Sequence, residues 1–301
     1  MSEDNGHIFK IADHYVKIVF KGNSCNSMQL LPSFRPFESP ETISNKELFF
    51  QLTVDDSTAP IPKSERERIR IFDTGNGKTS VDQLKDGGYQ YIIKNLNEAD
   101  CCLLIANKDF TDCHCALNGN YVMRSFGLNN ALMLIYAFAG SLHDTLLIHA
   151  SLVRHQGRGY AFTAKSGTGK STHVSLWLRH IPDCDLMNDD NPIIRIIDGK
   201  PFIYGSPWSG KTPCYRNIKA PLGAISRIDR AKKNSIEKLS PVDSFATVLP
   251  SCSAMKWDET LFSHICDTVT RVVETTNVYT LHCLPDKEAA IICHQELTKQ
   301  R

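Results

Sequence analysis

Two adjacent aspartates, a histidine and a lysine–serine pair in a glycine loop are the side chains here whose types and spacing suit phosphate chemistry. Residues 160–172 read Tyr-Ala-Phe-Thr-Ala-Lys-Ser-Gly-Thr-Gly-Lys-Ser-Thr: a short apolar run, a glycine turn and the start of a helix. Such a loop lines up backbone N–H groups against a polyphosphate. Ser166, Gly167, Thr168, Gly169, Lys170, Ser171 and Thr172 would form the cradle, with Lys170 and Ser171 where a β/γ-phosphate and Mg²⁺ would lie. Ala164 takes the place of the first glycine in the pattern G-x-x-x-x-G-K-[ST], a turn position that alanine fills when φ is negative. Val174, Trp177 and Leu178 then fall at i, i+3 and i+4, and Pro182 closes the run, which predicts an amphipathic helix.

Downstream, the apolar run 184–187 leads into Asn188, Asp189 and Asp190. A carboxylate at the end of such a strand can hold Mg²⁺, directly or through water. A second one can accept the proton of an attacking hydroxyl. Both aspartates are catalytic candidates, with Lys170, and Asp190 is the expected metal partner of Ser171. Repulsion between the two carboxylates predicts that one titrates high, as suits a base working near neutrality. His149 lies in the apolar run 146–153, beside the strand that enters the loop, where it could orient a carboxylate or share its proton. Arg216, with Lys211 and Trp208 in the loop after Tyr204, is expected to neutralise phosphate oxygens. Each has a plainer alternative: a solvated turn for the aspartates, a satisfied structural imidazole, an ordinary surface cation.

A second Gly-Lys-Thr, at 77–79, lacks this context. Phe72 occupies its first-glycine position, no apolar helical stripe follows, and Gly-Asn-Gly between two β-like runs signals a hairpin turn.

Positioning these side chains requires a particular set of elements. Runs 146–153 and 160–163, joined through 155–159, read as a β-hairpin whose second strand feeds the glycine loop. Strands follow at 184–187, 193–197, 202–204, 222–228 and 278–283, with helices at 242–249, 257–274 and 287–298. The first 120 residues differ: alternating runs at 15–20, 49–54, 89–93 and 101–105 predict a mostly antiparallel, β-rich module, with 57–68 an exposed loop. A helix over 121–142 begins the second half, so the expected domains are 1–120 and 121–301.

Composition excludes several roles. Lys and Arg total 34 against 33 Asp and Glu, which gives no basic surface for nucleic acid. The apolar run 131–139 is far shorter than the roughly 20 residues that span a bilayer, so no membrane partner is expected. Eleven cysteines without framework spacing, after a polar and acidic start, predict reduced thiols in the cytoplasm. Cys113-His114-Cys115 has no second ligand pair at finger-like spacing and reads as thiols near a turn.

Taken together, His149-Ala-Ser-Leu-Val, the loop 164–172 and Leu186-Met-Asn-Asp-Asp190 resemble the catalytic domain of HPr kinase/phosphorylase. They are similar too to the wider phosphoenolpyruvate-carboxykinase-like P-loop group of serine kinases, over about residues 145–230. The resemblance implies an α/β fold: a mixed-sheet P-loop domain of that type, preceded by the β-rich N-terminal domain, whose separateness suggests substrate recruitment. It implies Mg²⁺-ATP-dependent transfer of a phosphoryl group to a serine-type hydroxyl of a protein, peptide or small molecule. Lys170 and Ser171 would bind phosphate and Mg²⁺, Asp189 or Asp190 would activate the hydroxyl, and His149 would set the carboxylate's protonation. A homo-oligomer is an expectation of the same kind. Residues 209–217 differ from the family's HPr-binding signature, so other peptides and small hydroxyl compounds stand beside HPr as acceptors. Two other readings are a nucleotide-binding regulatory module without turnover and a simple ATPase.

Overall fold

Period-two alternation in the first half of the chain builds a mixed sheet of eight strands among the described residues. The computed structural model describes residues 6–74, 77–165 and 167–299. The strands are β1 (Gly6–Ile11), β2 (His14–Lys21), β3 (Leu48–Asp55), β4 (Arg66–Asp73), β5 (Lys78–Leu84), β6 (Tyr89–Lys94), β7 (Asp100–Ala106) and β8 (Asp112–Leu117). Their order is β1-β2-β3-β8-β7-β6-β5-β4, antiparallel except where β3 runs parallel to β2 and β8. The segment expected as a loop over 57–68 ends in β4, because Arg66 and Arg68 both pair with buried Asp82 on β5. Lys78 and Thr79 of the second Gly-Lys-Thr open β5, which is antiparallel to β4 with Asp73 opposite Lys78; Gly75 and Asn76 of the expected turn lie outside the described residues.

Helix α1 (Tyr121–Ser141) covers this sheet. The Tyr136 hydroxyl donates to the Ile11 carbonyl at 3.0 Å, and Arg124 pairs with Asp56 at 2.6 Å. The chain accordingly divides into Met1–Ala139 and Gly140–Arg301, so the expected boundary at 120/121 moves to the end of α1. On β8, Cys113 and Cys115 are buried while His114 is exposed on the other face. All eleven cysteines are free. Among the described residues no helix is long and apolar enough to cross a membrane.

The second unit is also mixed α/β. It contains β9 (Thr145–Leu147), β10 (Ala150–His155), β11 (Arg158–Thr163), α2 (Lys170–His180), β12 (Cys184–Asp190), β13 (Ile193–Ile197), β14 (Lys200–Tyr204) and β15 (Lys219–Arg230). β16 (Ser235–Lys238), α3 (Pro241–Val248), α4 (Glu259–Thr275), β17 (Asn277–Cys283) and α5 (Lys287–Leu297) complete it. β11 is central, antiparallel to β10 and parallel to β15, which is in turn parallel to β17. The two-residue turns Gln156-Gly157 and Asp198-Gly199 have positive φ at both positions, the geometry that matches the twist of hairpin strands. The run 146–153, expected as one strand, is two: β9 pairs with β13, and β10 pairs with β11 and β12.

Alternation along the strands separates two cores. Tyr160, Phe162, Ala224 and Leu281 face α2 and α5, where they meet Val174, Trp177 and Cys293. Leu152, Ala161, Ile225 and Val278 face α3 and α4, where they meet Val248, Ile265 and Val269. The helix stripe differs from the expected one at one position: Leu178 is 39 % exposed, and Leu176 and His173 are buried in its stead.

His173 carries a consequence for stability. Its ring lies edge-on to Phe162, and Trp177 Nε1 donates to its Nε2 at 3.1 Å. Burial pushes its pKa down from 6.5 to about 4. The unfolded imidazole takes up a proton as pH falls below 6.5, and the folded one resists until about 4, so stability is lost across that window. That difference is worth about 2 kcal/mol between pH 7 and pH 5. His173→Gln keeps an acceptor for Trp177 and should remove most of this acid sensitivity, read from urea midpoints at the two pH values. An unchanged pH dependence would show that His173 is not its source.

Candidate active site

The parallel pairing of β11 with β15 sets β11 in the middle of the sheet, and the chain leaves it directly into the glycine loop. Gly167 and Gly169 adopt φ values of 75° and 126°, and a Cβ on either would meet nothing within 4 Å. The glycines thus serve backbone conformation and leave open space before the loop, as a phosphate cradle needs. Gly169 caps α2, whose first two residues are Lys170 and Ser171. Arg230, at the end of β15, donates to the carbonyls of Gly167 at 2.6 Å and Thr168 at 2.9 Å. Ser166, expected in the cradle, lies outside the described residues.

β12 brings both aspartates to this loop, as the last two residues of the strand itself. Asp189 is buried, and its carboxylate accepts from Ser151 Oγ at 2.7 Å and from the Thr212 amide at 3.1 Å. Ser171 Oγ lies 3.5 Å from the same carboxylate. Asp190 points to a different partner. His149 Nδ1 lies 3.1 Å from Asp190 Oδ1, and Asn191 donates to the other oxygen at 2.8 Å. Lys170 Nζ donates to His149 Nε2. An imidazole accepting at Nε2 holds its hydrogen on Nδ1, so the polar chain runs from Lys170 through His149 to Asp190. His149 sits at the break between β9 and β10, its own amide donating to the Ser251 carbonyl at 2.7 Å.

The electrostatics correct one expectation. Burial pushes the Asp190 carboxyl up, but the hydrogen bond from His149, with the charge of Lys170 and the hydrogen bond from Asn191, outweighs it and leaves the group below the ordinary aspartate range. The aspartate pair therefore does not raise Asp190. Burial also holds the Lys170 amine below its usual range, against the raising influence of Asp190 and Asp189. Asp190 has a φ of 142°, a region that non-glycine residues rarely occupy and that tends to be tolerated at functional sites.

The loop 205–214 closes the site from the other side. Asn188 anchors it, donating to Ser206 Oγ at 3.2 Å and to the Trp208 carbonyl at 3.0 Å. Ser209 Oγ donates to the Asp189 carbonyl at 3.1 Å, and the Gly210 amide donates there too. Only glycine allows this approach, since a Cβ at 210 would lie 2.9 Å from the Asp189 carbonyl oxygen. The result is a polar cavity of about 510 Å³ lined by His149, Lys170, Ser171, Asp189, Asp190 and Lys211 together with the glycine loop.

Arg216 is not in that lining. It pairs with Asp185 at 2.7 Å, as does Arg154 at 2.8 Å, because β12 turns Asp185 toward both. Trp208 is buried. Lys211 and Arg230 are the cations at the cavity beside Lys165 and Lys170. Ser151, Thr212 and Arg230 carry no local motif. Ser151 alone could have been found, two residues beyond His149 and so on the same face of an extended chain.

Ser171 Oγ and the Asp189 carboxylate form a hard-oxygen donor pair of the kind Mg²⁺ takes. Among the described residues no group of three or more His, Cys, Asp or Glu could hold a metal by itself. A metal here would thus share its coordination with phosphate oxygens, as Mg²⁺ usually does.

No protein-family profile and no curated protein sequence matches the chain. Among solved structures it is similar to the Hpr(Ser) kinase/phosphatase from Coxiella burnetii, over 50 % of this chain and 91 % of that one, at 12 % identity and a TM-score of 0.28. At that identity and score, the likeness lends no support to a shared activity.

Proposed function

We propose that the second unit is a phosphotransferase that moves the terminal phosphoryl group of Mg²⁺-ATP to a serine-type hydroxyl of a peptide, protein or small molecule. One observation carries this reading. The glycine loop, Lys170, Ser171, Asp189 and the His149–Asp190 pair all line a single polar cavity. A phosphate cradle and a candidate base within one cavity is what phosphoryl transfer needs, since its catalysis is mainly positioning and charge neutralisation.

Each residue then has a role. Backbone amides of the loop and Lys170 bind the phosphates, and Lys211 and Arg230 add positive charge to the same cavity. Ser171 and Asp189 would hold Mg²⁺, which when bound neutralises phosphate charge. Ser151 and the Thr212 amide fix the Asp189 carboxylate in its orientation. Asp190 is ionised near neutrality and accepts the acceptor's hydroxyl proton, with His149 orienting it. This exchanges the two carboxylates relative to the sequence-based expectation, in which Asp190 was the metal partner. Lys170 donates to His149; a phosphate on the loop would offer the ammonium a stronger, charged partner and leave His149 Nε2 free.

The test is transfer of label from [γ-³²P]ATP to serine-bearing peptides and to free serine. Label arriving on a hydroxyl, dependent on Mg²⁺, is the expected outcome. Phosphate released at the same rate with and without acceptor would mark a hydrolase. Binding without any turnover would mark a regulatory nucleotide-binding module.

A further inference from the structure

A second cavity, of about 540 Å³, adjoins the polar one and shares Gly169, Thr172 and Arg230 with it. Its other walls are mostly apolar: Leu176 from α2, Ile228 from β15, and Cys283, Leu284 and Pro285 at and beyond the end of β17. The acidic pair and His149 line the polar cavity and not this one. We propose that this apolar cavity receives the heteroaromatic base of the nucleoside triphosphate whose phosphates lie on the 167–172 loop. The proposal rests on the phosphotransferase reading, in which ATP is the donor, and adds to it the place where the base binds, a contact that inorganic pyrophosphate or tripolyphosphate cannot make.

A linear donor with its reacting end beside Asp190 and its phosphates on the loop must leave the cradle at its far side. The surface that continues from Thr168, Thr172 and Arg230 is the apolar one. Its volume lies within the range of small-molecule pockets, roughly 300–1,000 Å³, whose walls are mainly apolar with a few polar groups. A bare polyphosphate would fill the polar cavity and leave the apolar walls in water, with no gain from burial.

Two polar features suit a base. Arg230 is held at the junction by its bonds to the Gly167 and Thr168 carbonyls, and a planar guanidinium fixed in place is apt to stack on an aromatic ring. His173 contributes to the pocket wall. Its Nε2 accepts from Trp177, so its hydrogen is on Nδ1, and that buried atom has no hydrogen-bond partner among the described residues. A buried donor without an acceptor is costly, and base edges carry acceptor nitrogens.

The experiment is calorimetric titration of the full chain with Mg²⁺-ATP and, separately, with Mg²⁺-tripolyphosphate. It is run on the wild type, Leu284→Asp and the milder Leu284→Ser. Leu284 is 39 % exposed, so substitution there disturbs little core, and retained tripolyphosphate binding reports an intact fold. The wild type should bind ATP at least about tenfold more tightly than tripolyphosphate, a margin that burial of one base readily supplies. Leu284→Asp should lose that margin, and Leu284→Ser part of it, with tripolyphosphate affinity unchanged. Equal wild-type affinities for the two ligands, or ATP affinity untouched by both substitutions, would overturn the base pocket while sparing the phosphate cradle. Failure of the wild type to bind either ligand would overturn the cradle and the pocket together.

Discussion

Replacing Asp190 with Asn should lower the rate of phosphoryl transfer by about 10²- to 10⁴-fold while leaving nucleotide affinity within about twofold of wild type. The substitution keeps the shape and an oxygen that can accept from His149 Nδ1, and removes the ability to take up a proton. Folding should be spared, because asparagine tolerates positive φ at least as well as aspartate does at the observed 142°. The split between turnover and binding identifies the role. Loss of binding in step with loss of rate would assign Asp190 to the metal instead, as first expected from the sequence. Asp189→Asn should show that second pattern, since its carboxylate is the one beside Ser171. Single-turnover rates and equilibrium titrations on both variants separate the cases.

Lys170→Ala should abolish transfer to within the background of the assay, a fall of at least about 10³-fold, and weaken polyphosphate binding by about 10- to 100-fold. Removing one charge-assisted donor from developing charge on transferred phosphate costs about 10²- to 10³-fold by itself. Weakened phosphate binding adds to that loss, because the same ammonium lines the cavity in which the phosphates would lie. Lys170→Arg should rescue little, since a guanidinium fork is larger than the point charge it replaces. Retained transfer in Lys170→Ala would remove the loop from the reaction.

Much of this arrangement was legible in the sequence because it is local. The glycine loop, the helix after it and the Asp pair at the end of β12 are short-range patterns in which residue type dictates conformation. The hairpin turns at Gln156-Gly157 and Asp198-Gly199 are of the same kind. The break at His149 was not legible. Residues 146–153 are uniformly apolar or β-prone, and what splits them is pairing of β9 with distant β13 and of the His149 amide with Ser251. The roles of Asp189 and Asp190 were beyond reach for a related reason. Both carboxylates enter one cavity: the register against β10 sets Asp189 opposite Ser151, while the unusual φ of Asp190 and the strand break at His149 accompany the pairing of those two. Arg230 reaches the loop from some sixty residues away in sequence, and Arg216 is drawn off by Asp185. Long-range pairing of charges leaves no periodic trace.

The most direct test of the central claim, that the 167–172 loop grips a polyphosphate through Lys170, is equilibrium titration of Mg²⁺-tripolyphosphate into the wild type and Lys170→Ala. Using inorganic ligand isolates the cradle from every contact a base would make. Saturable one-to-one binding by the wild type, weakened about 10- to 100-fold in the variant, is the result expected. No uptake by the wild type, or equal uptake by both proteins, would contradict the account.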